Sequence, residues 1–411
     1  MAIHAMNGAV RPMRDTLPTT TRLRLPAGVW VLGVVSLLMD ISSEIIHSLL
    51  PLFLVGTLGV SVLAVGVIEG IAESTALISR VFSGVLSDRL GKRKGLTVFG
   101  YALGAATKPV FALAQGIDAV LVARFLDRVG KGVRGAPRDA LLADITPPGI
   151  RGAAFGLRQA LDTAGAFLGP LFATVLMLAW AGDFRAVFWV AAIPGALAVL
   201  LLLVGIREPR RGPIAAVANP IRRDALARLG QAYWQVVALG AVFTLARFSE
   251  AFLVLRASET GIAVAWVPLV MVVMNFVYAA SAFPFGRLAD RLDRHCLLAG
   301  GLLVLIAADL VLAAAGDWRA MLAGIALWGV HMGMTQGLLA AMVADSAPAD
   351  LRGTAFGFFN LASGIAMLAA SVIAGLLWET LSSAFTFHAG AGFALIALLG
   401  LVYIRRGRAT D

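Results

Sequence analysis

The sequence predicts an all-α membrane protein, with about twelve transmembrane helices in two pseudo-symmetric six-helix bundles. Three observations predict it. Of 411 residues, 59% are hydrophobic and only 14% charged, where a soluble domain would carry roughly a quarter charged residues. Continuously apolar runs long enough to cross a ~30 Å hydrocarbon core recur along the whole chain. Two charged loop sequences also repeat at nearly one spacing. The mean hydropathy of +0.87 excludes the two or three soluble domains that length alone would suggest. Unbroken apolarity, rather than alternation at every second residue, excludes a β-barrel.

Gly, Pro and charge clusters divide the chain into its elements. A tail (1–27) with Arg11, Arg14, Arg22 and Arg24 precedes the first helix. It lacks the short apolar core and small-residue cleavage site of a signal peptide and reads as a cytoplasmic tail. The first bundle (28–206) holds helices near 28–56, 61–86, 96–115, 118–143, 152–180 and 184–205. A basic linker (207–233) follows, with Arg210, Arg211, Arg222, Arg223 and Arg228. The second bundle (234–404) holds helices near 234–256, 264–287, 296–315, 320–344, 353–379 and 384–404, and a tail (405–411) closes the chain.

Basic residues fix the orientation. Arg89, Lys92, Arg93 and Lys94, Arg151, the linker, Arg291 and Arg294, Arg352, and Arg405, Arg406 and Arg408 fall on one set of loops. The opposite loops carry only Arg185 and Arg319. Both termini are therefore expected in the cytoplasm, with the protein multi-pass in the cytoplasmic (inner) membrane. The net charge of +10 reads as this topological signal, and no nucleic-acid partner is expected. A single cysteine, Cys296, excludes an intrachain disulfide framework and a Cys-based metal cluster.

The halves repeat. "GVLSDRLGKRK" after the second helix is echoed by "GRLADRLDRH" after the eighth, so Gly84, Asp88 and Arg89 match Gly286, Asp290 and Arg291 at an offset of 202 (88 to 290). "LADITPPGIRGAAFG" is echoed by "VADSAPADLRGTAFG", at an offset of 201 (151 to 352). A parallel repeat of six-helix halves places a substrate site at their interface, near the bilayer midplane.

These residues resemble the major facilitator superfamily over essentially the whole chain. The first loop fits that superfamily's G-x-x-x-D-R-x-G-R/K-R/K signature through Gly84, Asp88, Arg89, Gly91 and Lys92, with a degenerate copy at Gly286, Asp290 and Arg291. The resemblance implies a conformational latch, in which Asp88 caps a neighbouring helix and pairs with basic residues. Within "ARFLDRVGKGVRGAPRDALLAD", Arg124 falls where the family places an intramembrane arginine that helps relay protons. Arg128 stands where many antiporters have glycine. In the fifth helix, "DTAGAFLGPLFAT" matches the G-x-x-x-G-P core of the antiporter-branch motif through Gly165, Gly169 and Pro170, with Ala173 in place of a further glycine. The resemblance implies alternating-access secondary transport and export by antiport, leaving the substrate open. A first helix reading "LLMDISSEIIHSLLPLFL" is similar to that of a prokaryotic subgroup of the superfamily.

Intramembrane charge supplies the candidate residues. Asp40, Glu44 and His47 share one helix face at i, i+4 and i+7, and Glu69 and Glu73 repeat the i, i+4 spacing on the second helix. A carboxylate in low dielectric can exchange a proton near neutral pH, and a nearby arginine reverses that tendency. Asp40, Glu44, Glu69, Glu73, Arg124 and Arg128 are accordingly the proton-coupling candidates. The alternative for the same residues is a static ion-pair network that orients the bundle. Lys131, Asp162, Arg247, Glu250, Asn275 and His331 are candidates for the substrate cavity, as are, more distantly, Met39, Phe53, Trp266 and Met271. Arg134, Arg138, Arg158 and Asp309 are further buried charges. His331, Met332 and Met334 do not make a metal site, because consecutive helical residues point apart. No cofactor is expected. There is no P-loop or HExxH helix, so an enzyme or ATP-driven pump is disfavoured. The expectation is a monomeric carrier in the lipid bilayer, with protons as coupling ion and a small amphiphilic molecule as exported substrate. An organic anion drawn by Arg124, Arg128, Lys131 and Arg247 is the alternative, and a non-transporting receptor a remote one.

Overall fold

The computed structural model describes residues 25–90, 93–208, 228–289, 291–348 and 351–410; the side chains of 85, 88–90 and 406–410 lie outside that description. All regular structure among the described residues is helical. The first half comprises α1 (Ala27–Thr57), α2 (Val62–Leu90), α3 (Arg93–Leu113), α4 (Ile117–Ile145), α5 (Arg151–Ala179) and α6 (Phe184–Gly205). The second comprises α7 (Gln231–Glu259), α8 (Leu269–Ala289), α9 (Arg294–Ala314), α10 (Trp318–Ser346), α11 (Arg352–Thr380) and α12 (Ser383–Thr410). Eleven helices are long and apolar enough to cross a membrane. The twelfth, α4, is just as long as α2, α5 and α11 but carries Arg124, Asp127, Arg128, Lys131, Arg134 and Arg138 at its centre. It is built into the bundle between α2 and α3.

Three helices are interrupted where sequence periodicity shows nothing. α1 breaks at Ser48–Leu49 and continues with a π-turn at Phe53–Thr57. Pro51 accounts for the first break, since it has no N–H to give the carbonyl four residues back. α7 breaks at Arg247–Glu250, and α10 breaks at Gln336–Gly337, where Gly337 takes a φ of 74°. Non-helical backbone within a membrane is tolerated where protein groups satisfy it. In α7 the Ala251 N–H donates to Ser249 Oγ at 3.2 Å, and the Ser249 N–H donates to Ser371 Oγ of α11 at 3.4 Å. The breaks at Ser48 and Ser249 lie 201 residues apart, the same offset as the loop motifs, so the duplication extends to backbone irregularity. Arg151 and Arg352 likewise donate from Nε to the carbonyls of Ala143 and Ala344, each at 3.2 Å.

Close packing within the halves depends on glycine. A methyl added at Gly100 of α3 would lie 2.7 Å from the Gly130 carbonyl of α4 and 2.8 Å from the Arg134 amide. Between the halves, α2 packs along α11 and α5 against α8. The apolar core shows which end is shut. Ile45, Phe53, Ile68 and Phe111 of the first half share one continuous cluster with Phe248, Phe252 and Leu312 of the second. Toward the loops at 90–93 and 146–150, Val29, Leu32, Tyr101 and Leu141 form a separate cluster confined to the first half. At the shut end, Glu379 of α11 accepts from the Leu63 N–H of α2 at 3.1 Å.

Replacing Gly100 by Val forces the α3 and α4 backbones apart and should cost about 1–3 kcal/mol, the usual range for overpacking. Thermal unfolding of detergent-purified protein should show a lowered midpoint. Gly156→Ala, where an added methyl meets nothing within 4 Å, should not lower the midpoint, since alanine is the better helix former.

Candidate functional site

Two adjoining cavities lie between the halves, of about 430 and 350 Å³. They share Glu44, Glu73 and Lys131 in their walls. The larger is lined also by Asp40, Arg80, Arg134, Arg138, Gln159 and Asp162 and reaches toward the loops at 90–93 and 146–150. Phe243, Arg247, Phe248, Glu250, Trp328 and Met367 line the smaller one beside α7 and its break. The space is thus charged on the first-half wall and aromatic on part of the second.

Behind the wall, Arg124 and Arg128 of α4 are paired with acids. Arg124 Nη2 donates to Glu69 Oε2 at 2.7 Å and lies 3.8 Å from Glu73 Oε1. Arg128 Nη1 is 3.2 Å from Glu73 Oε1, and its Nη2 is 3.4 Å from His47 Nδ1. Ser249 Oγ, at the α7 break, donates to Glu69 Oε2 at 3.4 Å, so the network reaches across to the second half. The i, i+4 spacing of Glu69 and Glu73 on α2 thus meets the i, i+4 spacing of Arg124 and Arg128 on α4.

Two members of this network were invisible as a pair in the sequence. Lys108 of α3 donates from Nζ to Asp127 Oδ1 at 2.9 Å, and both side chains are almost fully buried. Lys108 also donates to Ser43 Oγ at 3.1 Å. A lone lysine before Pro109 in an otherwise apolar helix was the available signal, and Asp127 three residues beyond Arg124 was the other. Nearer the loops, Arg158 pairs with Asp162 at 2.6 Å and Arg138 with Asp139 at 3.2 Å. Arg138 Nη1 also donates to Ser36 Oγ at 3.0 Å, and Arg134 stacks over the Tyr101 ring at 4.8 Å.

The cavity wall differs from this background. Among the described residues, Asp40 and Glu250 make no side-chain hydrogen bond or ion pair, and neither does Lys131. Glu44 has only His47, at 3.9 Å. Arg247 has only the Phe243 ring, 5.8 Å away. The motif glycines of α5 position the two α1 acids: a methyl at Gly165 would lie 2.8 Å from Asp40 Cβ, and one at Gly169 2.5 Å from Glu44 Cβ. Pro170 is buried inside the same helix.

Other candidates lie elsewhere. Asn275 lines neither cavity, because its side-chain amide donates to the Ala166 carbonyl at 3.1 Å and joins α8 to α5. His331 is fully buried behind Phe243, 2.8 Å from the Gly301 carbonyl through Nδ1. Met39, Phe53 and Met271 are core residues, and Trp266 is half exposed outside both cavities. Of the latch residues, Gly91, Lys92 and Asp290 lie outside the described residues, as do the side chains of Asp88 and Arg89. A methyl at Gly84 would make ordinary contact with Ala136 at 3.5 Å and one at Gly286 would meet nothing, so neither glycine is required by crowding. Arg291 lies in the loop after α8, beside Arg287 on a shallow surface depression. No group of three metal-ligating side chains occurs among the described residues.

A cavity between two repeated six-helix halves, walled by intramembrane charge, defines a polytopic membrane carrier. The family model of the Major Facilitator Superfamily matches residues 32–276 and 236–411, and the chain belongs to that superfamily. It is 32% identical to an uncharacterised MFS-type transporter of Methanocaldococcus jannaschii, over 92% of this chain and 95% of the relative. It is 24% identical to the inner membrane transport protein YajR of Escherichia coli, over 90% and 81% of the two chains. A solved POT family transporter in complex with 5-aminolevulinic acid superposes with a TM-score of 0.79 at 13% identity, covering 93% of this chain and 96% of that one. The protein is a multi-pass membrane transporter of small molecules, not an enzyme.

Lys108→Met would leave Asp127 buried beside only Arg128 and should destabilise the protein by about 3–5 kcal/mol, the range for breaking a buried pair from one side. Lys108→Met with Asp127→Leu should recover most of the loss. Thermal unfolding of the three purified proteins makes the comparison, and equal midpoints for single and double variants would refute it.

Proposed function

We propose that this transporter is a proton-coupled exporter of a small amphiphilic molecule, working by alternating access as a monomer. The observation that carries the reading is the pair Asp40 and Glu44: two cavity-facing acids without an arginine or lysine partner, Glu44 meeting only His47 at 3.9 Å, packed on Gly165 and Gly169 of α5. An acid that meets water in one state can gain or lose a proton there. Rocking of the halves would then carry it to the other side. Glu69 and Glu73, each held to an arginine, serve as the fixed frame against which α1 moves. Phe243, Phe248, Trp328 and Met367 beside Lys131, Arg247 and Glu250 suit a substrate with one apolar and one charged end.

Orientation follows the positive-inside rule. Arg93, Lys94, Arg151, Arg228, Arg291, Arg294 and Arg352 fall at or beside the loops of one set of helix ends, the end toward which the larger cavity reaches, which we assign to the cytoplasm. The structure then corresponds to an inward-facing carrier in the inner membrane. A second reading, transport of an organic anion, is favoured by the unpaired cations Lys131 and Arg247.

Asp40→Asn with Glu44→Gln should leave folded protein in proteoliposomes but abolish flux driven by an imposed pH gradient. Persisting proton-driven flux in the double variant would sink the coupling role of these acids. Cationic dyes and organic anions, screened by thermal shift and then by flux, separate the two substrates. Stabilisation by anions that is lost in Lys131→Gln with Arg247→Gln would favour the second reading.

A further inference from the structure

The second half holds a fully buried acid that the cavity does not explain. Asp309 lies five residues before the C-terminal end of α9 (Arg294–Ala314), is 0% exposed, and neither carboxylate oxygen has a hydrogen-bond partner. Its surroundings are close and apolar. A methyl at Gly390 of α12 would come within 2.7 Å of Asp309 Oδ2 and within 3.0 Å of the Phe248 ring. Asp309 and the Phe248 ring therefore both border Gly390, and Phe248 also lines the cavity. It belongs to the non-helical stretch Arg247–Glu250, held between Phe252, Trp328 and Phe387 by ring contacts of 5.5–5.7 Å.

No charged group on the packed elements compensates this acid. From α10, His331 faces α9 but is engaged with the Gly301 carbonyl through Nδ1, its Nε2 having no partner. From α7, Arg256 spends its guanidinium on the Leu312, Ala313 and Ala315 carbonyls, Glu259 and Ser383. Arg247 and Glu250 flank Phe248 on the cavity wall. From α12, His388 is exposed and packs on Phe385. A bare carboxylate in such a place costs several kcal/mol, and a bound proton removes the charge.

We propose that Asp309 is a proton-binding site of the second half, closed off from the cavity by the Phe248 ring and opened by movement of the α7 break. In the closed arrangement the carboxyl keeps its proton. When Phe248 swings aside, the O–H proton passes to cavity water and the carboxylate is left hydrated; reprotonation reverses the step. The site deepens the proton-coupling reading and adds a station in the half where Asp40 and Glu44 are absent.

Infrared spectroscopy of detergent-purified protein tests it without a substrate. Wild type should show the C=O stretch of a protonated carboxylic acid above the amide I band, and Asp309→Asn should remove it. Asp309→Glu, which keeps the acid, should shift the band rather than delete it. In D2O the band should move slowly in wild type and at least tenfold faster in Phe248→Ala. A spectrum unchanged by D309N overturns the assignment, as does a band whose exchange Phe248→Ala leaves alone. Should D309N fail to fold, the D309E shift and the Phe248→Ala exchange rate still decide. The readout is the carboxyl itself, so loss of flux coupling through Asp40 and Glu44 can fail or succeed independently.

Discussion

Everything in the first half follows from the need to keep the cations of α4 inside a membrane. One arginine or lysine at the centre of a transmembrane helix costs about 2.5–3.5 kcal/mol on insertion scales, and α4 carries Arg124, Arg128, Lys131 and Arg134 within three turns. The helix therefore takes an interior position between α2 and α3, and acids arrive from its neighbours: Glu69 and Glu73 from α2, Asp127 from α4 itself. Glycines let the backbones approach closely enough for those side chains to meet. Gly100 against Gly130, and Gly132 against Ala76 and Ser79, are the contacts that set the distance.

The halves share a fold and a duplication but divide the labour. In the first half, ion pairs fix the helices and leave α1 resting on the α5 glycines. In the second, cohesion comes from aromatic and aliphatic packing around Phe248, Trp328 and Phe387. The irregular feature facing the first half is the backbone break of α7, which touches the frame through the Ser249–Glu69 hydrogen bond. That hydrogen bond joins the most ionic helix pair of one half to a broken helix of the other.

The fold was legible because its signals are long-range in sequence: apolar runs, alternating basic loops and a repeat offset of 201 or 202 residues. Helix faces were legible too, since Asp40 with Glu44 and Glu69 with Glu73 follow from helical spacing. What one sequence cannot convey is which face meets which neighbour. Lys108 and Asp127 are separated by 19 positions and lie on two successive helices, and only packing pairs them. Asn275 and His331 illustrate the converse. Each is a polar residue in an apolar run, a pattern that fits a cavity lining, yet each spends its hydrogen bond on a neighbouring carbonyl. The breaks in α7 and α10 escaped because no proline marks them.

The distribution of paired and bare acids carries the functional logic. Glu69 and Glu73 sit against arginines that cannot lose a proton in a protein, so neutralising either acid would strand a buried cation. They are suited to hold geometry. Asp40, Glu44 and Glu250 face the cavity without an arginine or lysine ion-pair partner, so neutralising them strands no paired arginine. Under the coupling proposal, proton exchange belongs to the acids whose partner is solvent, and the arginine-bound acids remain charged throughout the cycle. Alternating access then changes the solvent around the first group while leaving the second group intact. This separation lets one ionic cluster stabilise the bundle while its neighbours respond to the bulk phase they face.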